Sequence, residues 1–309
     1  MTNNYSDRDP NLPPRSNIPA NPVYKRQRFL LSFIKSIKEP LTLMDLQKLL
    51  FLYSEKQKSD FYEFIPYFYG CYSLQAAEDL NTLERNGWIK KDKNNIKFGF
   101  PDSRNESELP FNDNYVLPQE RGSALVKFVY DQYPYYAINS KIAHGIMDRP
   151  GLIRIDAIRK SLKKNEQILF TIGYEGISIE KYLNTLIKND IRILCDVRNN
   201  PLSRKFGFSK TNLQYYLKNI NIEYVHIPEL GIVSEKRQSL ETEDDYTNLF
   251  NNYEKSLTTK QTYLEKVYQL LISKKRIALT CFEHDPQHCH RHIISEQISK
   301  DYTITTKDL

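Results

Sequence analysis

No apolar run in this 309-residue chain approaches the roughly 20 residues that a bilayer-crossing helix needs. The N-terminus also lacks the charged-then-apolar pattern of a signal peptide, so no membrane association and a cytoplasmic setting are expected. Cysteines are few. Cys71, Cys195, Cys281 and Cys289 are too sparse for a disulfide framework in a chain this long, which makes reduced thiols the expectation. The formal charge of +6 is not gathered into any long basic run, and a spread excess of that size permits a polyanionic partner without requiring one. Residues 1–21 hold hardly an aliphatic side chain and are expected to form a disordered arm.

What is present suffices for packing. Apolar residues make up 40% and aromatics 12% of the chain, and its length suits two domains of about 100 to 200 residues each. The first ordered segment, read over residues 22–150, begins with Phe29, Leu30, Phe33, Ile34 and Ile37 at helical spacing, and Pro40 closes that helix. A second amphipathic helix runs from Leu41 to Tyr53 with Thr42 as a cap and Leu46, Leu49, Leu50 and Tyr53 on one face. After a break at Phe64 to Ser73, a third helix extends through Leu80 and Leu83 to Gly87. Trp88-Ile89-Lys90 and Ile96-Lys97-Phe98 then flank a polar turn. Three helices followed by a hairpin is the order of a winged helix, so the N-terminal domain is expected to be mainly α and winged-helix-like. Residues 101–118 read as a loop, 121–133 as a helix, and 139–147 as another.

The runs Asp45-Leu46-Gln47-Lys48-Leu49-Leu50-Phe51-Leu52, Pro66-Tyr67-Phe68-Tyr69-Gly70 and Leu80-Asn81-Thr82-Leu83-Glu84-Arg85-Asn86-Gly87-Trp88-Ile89 resemble the SocA-like antitoxin group, also called Panacea. That resemblance implies a helical domain from toxin-antitoxin or mobile-element systems, with DNA or a protein as its partner. No helix here is dense in Arg, Lys, Asn and Gln as a recognition helix would be, so an interaction module is an equal reading.

Residues 151–166, with Arg159, Lys160, Lys163 and Lys164, read as a solvated linker before a second domain over 167–309. There, apolar runs at Ile168–Ile172, Ile191–Val197, Ile222–Ile227 and Arg276–Cys281 alternate with helical spacing after Ser178, over Tyr263–Ser273 and from His290. Strand-helix alternation predicts an α/β domain with a mainly parallel sheet and helices on both faces. Ligands of such sheets bind beyond the carboxyl ends of the strands. Three clusters fall there: Tyr174 and Glu175, Asp196 and Arg198, and Cys281 and Glu283.

Thr171-Ile172-Gly173-Tyr174-Glu175-Gly176, Asp196-Val197-Arg198 with Pro201, Ser203 and Arg204, Phe208-Ser209-Lys210, Tyr224, Glu229-Leu230-Gly231, Cys281-Phe282-Glu283 and Cys289-His290-Arg291 recur in the order of the family named domain of unknown function 488. The resemblance spans about Ile168 to Ser299. It implies the fold and the place of the site, but no reaction.

Several arginines and lysines on one loop, Arg198, Arg204 and Lys210 around Ser203, suit phosphate and suggest a nucleotide or nucleic-acid ligand. Asp196 can act as a base or orient Arg198. Cys281 and Glu283 lie two apart and, on an extended chain, would face one cavity with Phe282 turned away. A thiolate at Cys281 would need help from His290, Arg291 or a helix N-terminus, whereas a cysteine-phosphatase loop is excluded because Gln287 stands where arginine is required. Cys281, Cys289 and His290, with His284, His288 or His292, offer zinc donors, but no short Cys pair occurs. The spacing therefore assigns no metal and no cofactor. Cys289-His290-Arg291 is read instead as a helix start facing an anion. The expected site has Cys281, Glu283 and Asp196 near any chemistry. Tyr174, Glu175, Arg198, Ser203, Arg204, Lys210, Cys289, His290 and Arg291 are assigned to the ligand. Enzyme and non-catalytic sensor are both carried forward.

Overall fold

The structure, a computed structural model, describes residues 22–37, 41–93, 95–99, 116–233 and 242–309. The expected arm over 1–21 and most of the expected 101–118 loop lie outside them. Two compact units emerge, one from Met1–Glu63 with Cys71–Val129, the other from Phe64–Gly70 with Tyr130–Leu309.

In the N-terminal unit, α1 (Lys25–Ser36) buries Phe29, Leu30, Phe33 and Ile34 along the face that their spacing defines. A two-residue strand, β1 (Leu41–Thr42), leads into α2 (Leu43–Gln57), which Thr42 caps by accepting the Asp45 amide at 3.0 Å. Two short strands, β2 (Ile65–Tyr67), which is counted in the other unit, and β3 (Gly70–Tyr72), precede α3 (Leu74–Arg85), capped by Ser73. Asp79 of α3 is buried and accepts from Arg26 Nε at 2.7 Å, Gln27 at 2.8 Å and the Tyr62 hydroxyl at 3.0 Å. Then come β4 (Ile89–Asp92) and β5 (Asn95–Phe98), whose antiparallel ladder continues onto β1 in the order β1-β5-β4. The helix order expected from sequence is present. The strand before the second helix is an addition, too short to carry a periodic signal. The division between units falls inside α4 (Gly122–Gln132).

The stretch read as a linker is different. After the single turn α5 (Ala143–Ile146), residues Arg149–Leu162 form α6, capped by Asp148 and started by a proline in the first turn. Ile155 is buried, and Arg159 donates to the Ile138 carbonyl through both Nε and a terminal nitrogen. Of the basic residues that suggested a solvated connection, Arg159 and Lys160 lie on this helix and Lys163 and Lys164 follow its end, all within the C-terminal unit.

That unit is built on five parallel strands, β6 (Ile168–Gly173), β7 (Ile193–Asp196), β8 (Glu223–His226), β9 (Arg276–Cys281) and β10 (Thr305–Asp308), in the order β10-β6-β9-β7-β8. The intervening helices are α7 (Ile179–Lys188), α8 (Lys210–Asn219), α9 (Glu243–Leu257), α10 (Gln261–Lys274) and α11 (His290–Tyr302). Leu169, Ile193, Ile277 and Leu279 join Leu257, Leu264, Val267, Leu271, Ile294 and Ile298 in one buried cluster, which puts α9, α10 and α11 on one face. Thr280 points to the opposite face, where it accepts a 2.7 Å bond from Tyr182 of α7. Helices therefore cover both faces, and each fully buried aliphatic side chain contributes about 1.5 to 3 kcal/mol.

Strand β7 leads outward to β8, whereas β9 leads back past β6 to β10. The connections diverge between β9 and β7, which opens a crevice at their carboxyl ends.

Candidate functional site

Register brings the strand ends level: Gly173 pairs with Cys281, Asp196 with Thr280, and Asp196 with His226. Two close backbone approaches shape the loops beyond. A β-carbon on Gly173 would meet the Glu283 carbonyl oxygen at 1.8 Å, and one on Gly231 would meet the Asn199 amide nitrogen at 2.2 Å. Neither position tolerates a side chain without moving its neighbour, so both glycines are fixed by contact rather than by φ. The Phe282 carbonyl accepts the amides of both Tyr174 and Glu175, which ties the loop after β9 to the loop after β6.

Around Asp196 the polar groups form a closed network. Its carboxylate is fully buried and accepts Arg198 Nε at 2.8 Å, a second Arg198 nitrogen, the Arg198 amide at 3.1 Å and the Tyr224 hydroxyl at 2.7 Å. Arg198 spends its other terminal nitrogen on the Tyr174 hydroxyl at 2.8 Å and the Phe208 carbonyl at 2.9 Å. Burial opposes the guanidinium charge, but the hydrogen bonds and charge of Asp196, with Tyr174, outweigh it and hold Arg198 above its ordinary pKa. Burial, reinforced by the Asp196 charge, pushes the Tyr224 phenol up, so it stays a donor. Tyr174 stacks on Phe208 with centroids 4.3 Å apart and meets Phe282 edge-on at 5.4 Å. His226 donates Nε2–H to the Arg198 carbonyl at 2.9 Å and accepts Lys210 Nζ at 3.2 Å.

Beside this network lies a cavity of about 330 Å³. Tyr174 and Phe282 supply aromatic walls, Arg198, Arg204, Asn199, Asn200 and Ser203 the polar ones, and Leu202, Ile232 and His290 complete it. Arg204 is exposed and pairs with no group among the described residues. An unpaired guanidinium facing a cavity is a ready anion contact.

Cys281, Cys289 and His290 form a second buried group, with their Sγ, Sγ and ring nitrogen all within 4.8 Å of one another. The turn over residues 282–288 returns the chain so that both sulfurs stand 3.8 Å from His290 Nδ1. Burial, with Cys281 and Glu283 acting in the same direction, pushes the Cys289 thiol well above its ordinary pKa. Cys195 is likewise pushed up to about 12 by burial, which makes it an inert core thiol.

The structure redistributes the residues expected from sequence. Tyr174, Arg198, Ser203, Arg204 and His290 reach the cavity. Asp196 is spent orienting Arg198 and is closed to a role as base. Phe282, not Cys281 or Glu283, faces the cavity, because the chain bends directly after β9 and the strand alternation ends there. Arg291 does not face an anion. It is 1% exposed, and its guanidinium donates to Thr171 Oγ1 at 3.1 Å and to the carbonyls of Glu283 and His284 at 2.5 and 2.9 Å. Glu175 accepts the His284 amide, a further tie on that loop, and Lys210 sits with His226. Asn199, Asn200, Leu202, Ile232 and Phe282 were missed. Asn199 and Asn200 directly follow Arg198 on the same strand-end loop, the one signal that would have found them.

Residues 178–298 match the model of the family described as Domain of unknown function DUF488. That match lies within the C-terminal unit and covers less than half of the chain. Within the DUF488 stretch lie Asp196, Arg198, Arg204, both cysteines of the buried group and His290, whereas Tyr174 and Glu175 precede it. No curated protein and no solved structure matches the sequence.

Proposed function

We propose that the DUF488 domain takes a nucleotide, or a nucleotide segment of a nucleic acid, at the carboxyl edge of its sheet. One observation carries this reading: a cavity at the divergence of β7 and β9 joins Arg204, a cation with no partner among the described residues, to the aromatic side chains of Tyr174 and Phe282. Phosphate and a flat base together suit that combination. Arg198, charge-balanced by Asp196 and fixed by Tyr174 and Phe208, contributes a rigid polar wall that needs no reorganisation on binding.

The reading has two versions. In the first, the protein is an enzyme on that ligand, with Cys281 and Glu283, which do not line the cavity, acting through the lining residues His290 and Phe282 that they adjoin. In the second, the cavity senses occupancy and the N-terminal unit acts on DNA or a protein partner. The strand order β1-β5-β4, with β1 before α2 and the β4-β5 hairpin after α3, supports a winged-helix reading of that unit. Its likeness to antitoxins supports a mobile-element or phage-conflict setting in the cytoplasm. Incubating the full chain with mononucleotides and with short single- and double-stranded oligonucleotides, followed by mass analysis, separates the versions. Product formation that disappears in Cys281→Ala and Glu283→Ala supports the enzyme. Saturable binding without product supports the sensor, and absence of binding to every probe rejects the proposal.

A further inference from the structure

We infer that Cys281, Cys289 and His290 are the protein ligands of a divalent, thiol-preferring metal ion, zinc in the first place. The three donor atoms lie within 4.8 Å of one another although their residues come from the end of β9, the turn after it and the first position of α11. Sequence spacing argued against this because no short Cys pair is present. The turn over 282–288 supplies the proximity instead.

The geometry matches a tetrahedral shell in three respects. Each sulfur stands 3.8 Å from His290 Nδ1, near the roughly 3.5 Å separating sulfur and nitrogen at two corners of a tetrahedron with Zn–S near 2.3 Å and Zn–N near 2.0 Å. His290 Nε2 lies 3.1 Å from the Val197 carbonyl. A carbonyl only accepts, so Nε2 carries the proton and Nδ1 presents its lone pair to the sulfurs. This is the outer-shell arrangement that fixes the tautomer of a metal-bound histidine. Tyr253 holds the imidazole further, edge-on at 5.5 Å.

Charge and access complete the case. Two thiolates and a neutral imidazole balance a dication, so the filled site is neutral where Cys281, Cys289 and His290 are at most 2% exposed. Three protein ligands leave one tetrahedral position, the pattern of zinc sites that hold a water or a substrate atom. His290 also lines the cavity beside Tyr174, Arg198 and Phe282. The metal site therefore borders the anion cavity, and metal binding itself does not depend on what that cavity takes.

The test uses the full-length chain, stripped of metal by a chelator under reducing conditions and titrated with Co²⁺. One Co²⁺ per chain should bind, with a near-ultraviolet thiolate charge-transfer band and visible bands of four-coordinate cobalt. One equivalent of Zn²⁺ should abolish them. Cys289→Ser and His290→Ala should each lose or strongly weaken the charge-transfer band, whereas His288→Ala, whose ring rests on Asp285, should keep it. Circular dichroism shows whether each variant folds, and the wild-type titration stands whether or not they do. A wild-type chain that binds no cobalt, or a charge-transfer band that survives in the Cys281→Ser/Cys289→Ser double variant, would overturn the assignment.

Discussion

Two arginines lie almost fully buried at the carboxyl end of the same sheet, and they are satisfied in opposite ways. Arg198 meets a carboxylate, Asp196, through two side-chain nitrogens and keeps its remaining donors for Tyr174 and the Phe208 carbonyl. Arg291 donates to a threonine hydroxyl and two backbone carbonyls of the 283–284 turn. The first is a charge-balanced pair that forms one wall of a cavity. The second is a staple that folds the turn carrying the chain from Cys281 back to Cys289. A buried arginine in a sequence motif thus does not announce an anion site; what matters is whether any donor is left over, and here it is the exposed Arg204 that has them.

The largest expected effect breaks the first arginine's balance. Asp196→Ala leaves Arg198 buried and without its carboxylate, and should destabilise the unit by about 3 to 5 kcal/mol in chemical denaturation. Replacing the pair together, Asp196→Leu with Arg198→Met, should recover most of that loss, because the penalty belongs to the orphaned charge. No such rescue is available to the second arginine. Arg291→Met removes the donors of two carbonyls and should cost about 2 to 3 kcal/mol, and Arg291→Lys should restore little, because one ammonium cannot span the fork. If Lys restored full stability, the staple would be a matter of charge alone.

Smaller effects sharpen the contrast. Tyr224→Phe deletes one donor to Asp196 and should cost about 1 kcal/mol. At the opposite, amino end of the sheet, Asp190 accepts Lys163 at 2.9 Å, Arg192 at 2.8 Å and the Lys164 amide at 3.1 Å. Burial raises the carboxyl pKa, but those bonds outweigh it and the group ends below its ordinary value. A depressed carboxyl contributes stability above its unfolded pKa, near 4, and loses it as pH falls through the lower folded value. Asp190→Asn keeps the left-handed φ of 51° accessible. The variant should be less stable by at most about 1 kcal/mol at pH 7, with the gap closing in acid. A gap unchanged between neutral and acid pH would remove the charge from that account.

Much of the fold was legible because its signals are local. β6 and β9 are largely apolar runs buried on both faces, Thr42 caps its helix as the sequence suggested, and the helix read after Ser178 is present. β10 was invisible: Thr305–Asp308 is polar, exposed and at the sheet edge, so it has no hydrophobic period. α6 was hidden by the charge of its outer face. For the site, the carboxyl edge and the meeting of Tyr174, Asp196 and Arg198 followed from the α/β pattern. The fate of each donor did not, since whether an arginine faces a ligand or a carbonyl depends on how a turn such as 282–288 closes, which no spacing encodes.

The central claim is that the cavity binds an anionic, base-bearing ligand through Arg204. Arg204→Ala should change folding stability by no more than about 0.5 kcal/mol, since the side chain is exposed and has no partner among the described residues. Its effect should fall on binding. The most direct measurement is the affinity of the wild type and Arg204→Ala for a short single-stranded oligonucleotide and for a mononucleotide, each across a series of salt concentrations. The account predicts that at least one probe binds, that binding weakens as salt rises, and that Arg204→Ala reduces affinity about tenfold or more, with a shallower salt dependence for the oligonucleotide. Equal affinity in the two proteins, or no binding of either probe to the wild type, would contradict it.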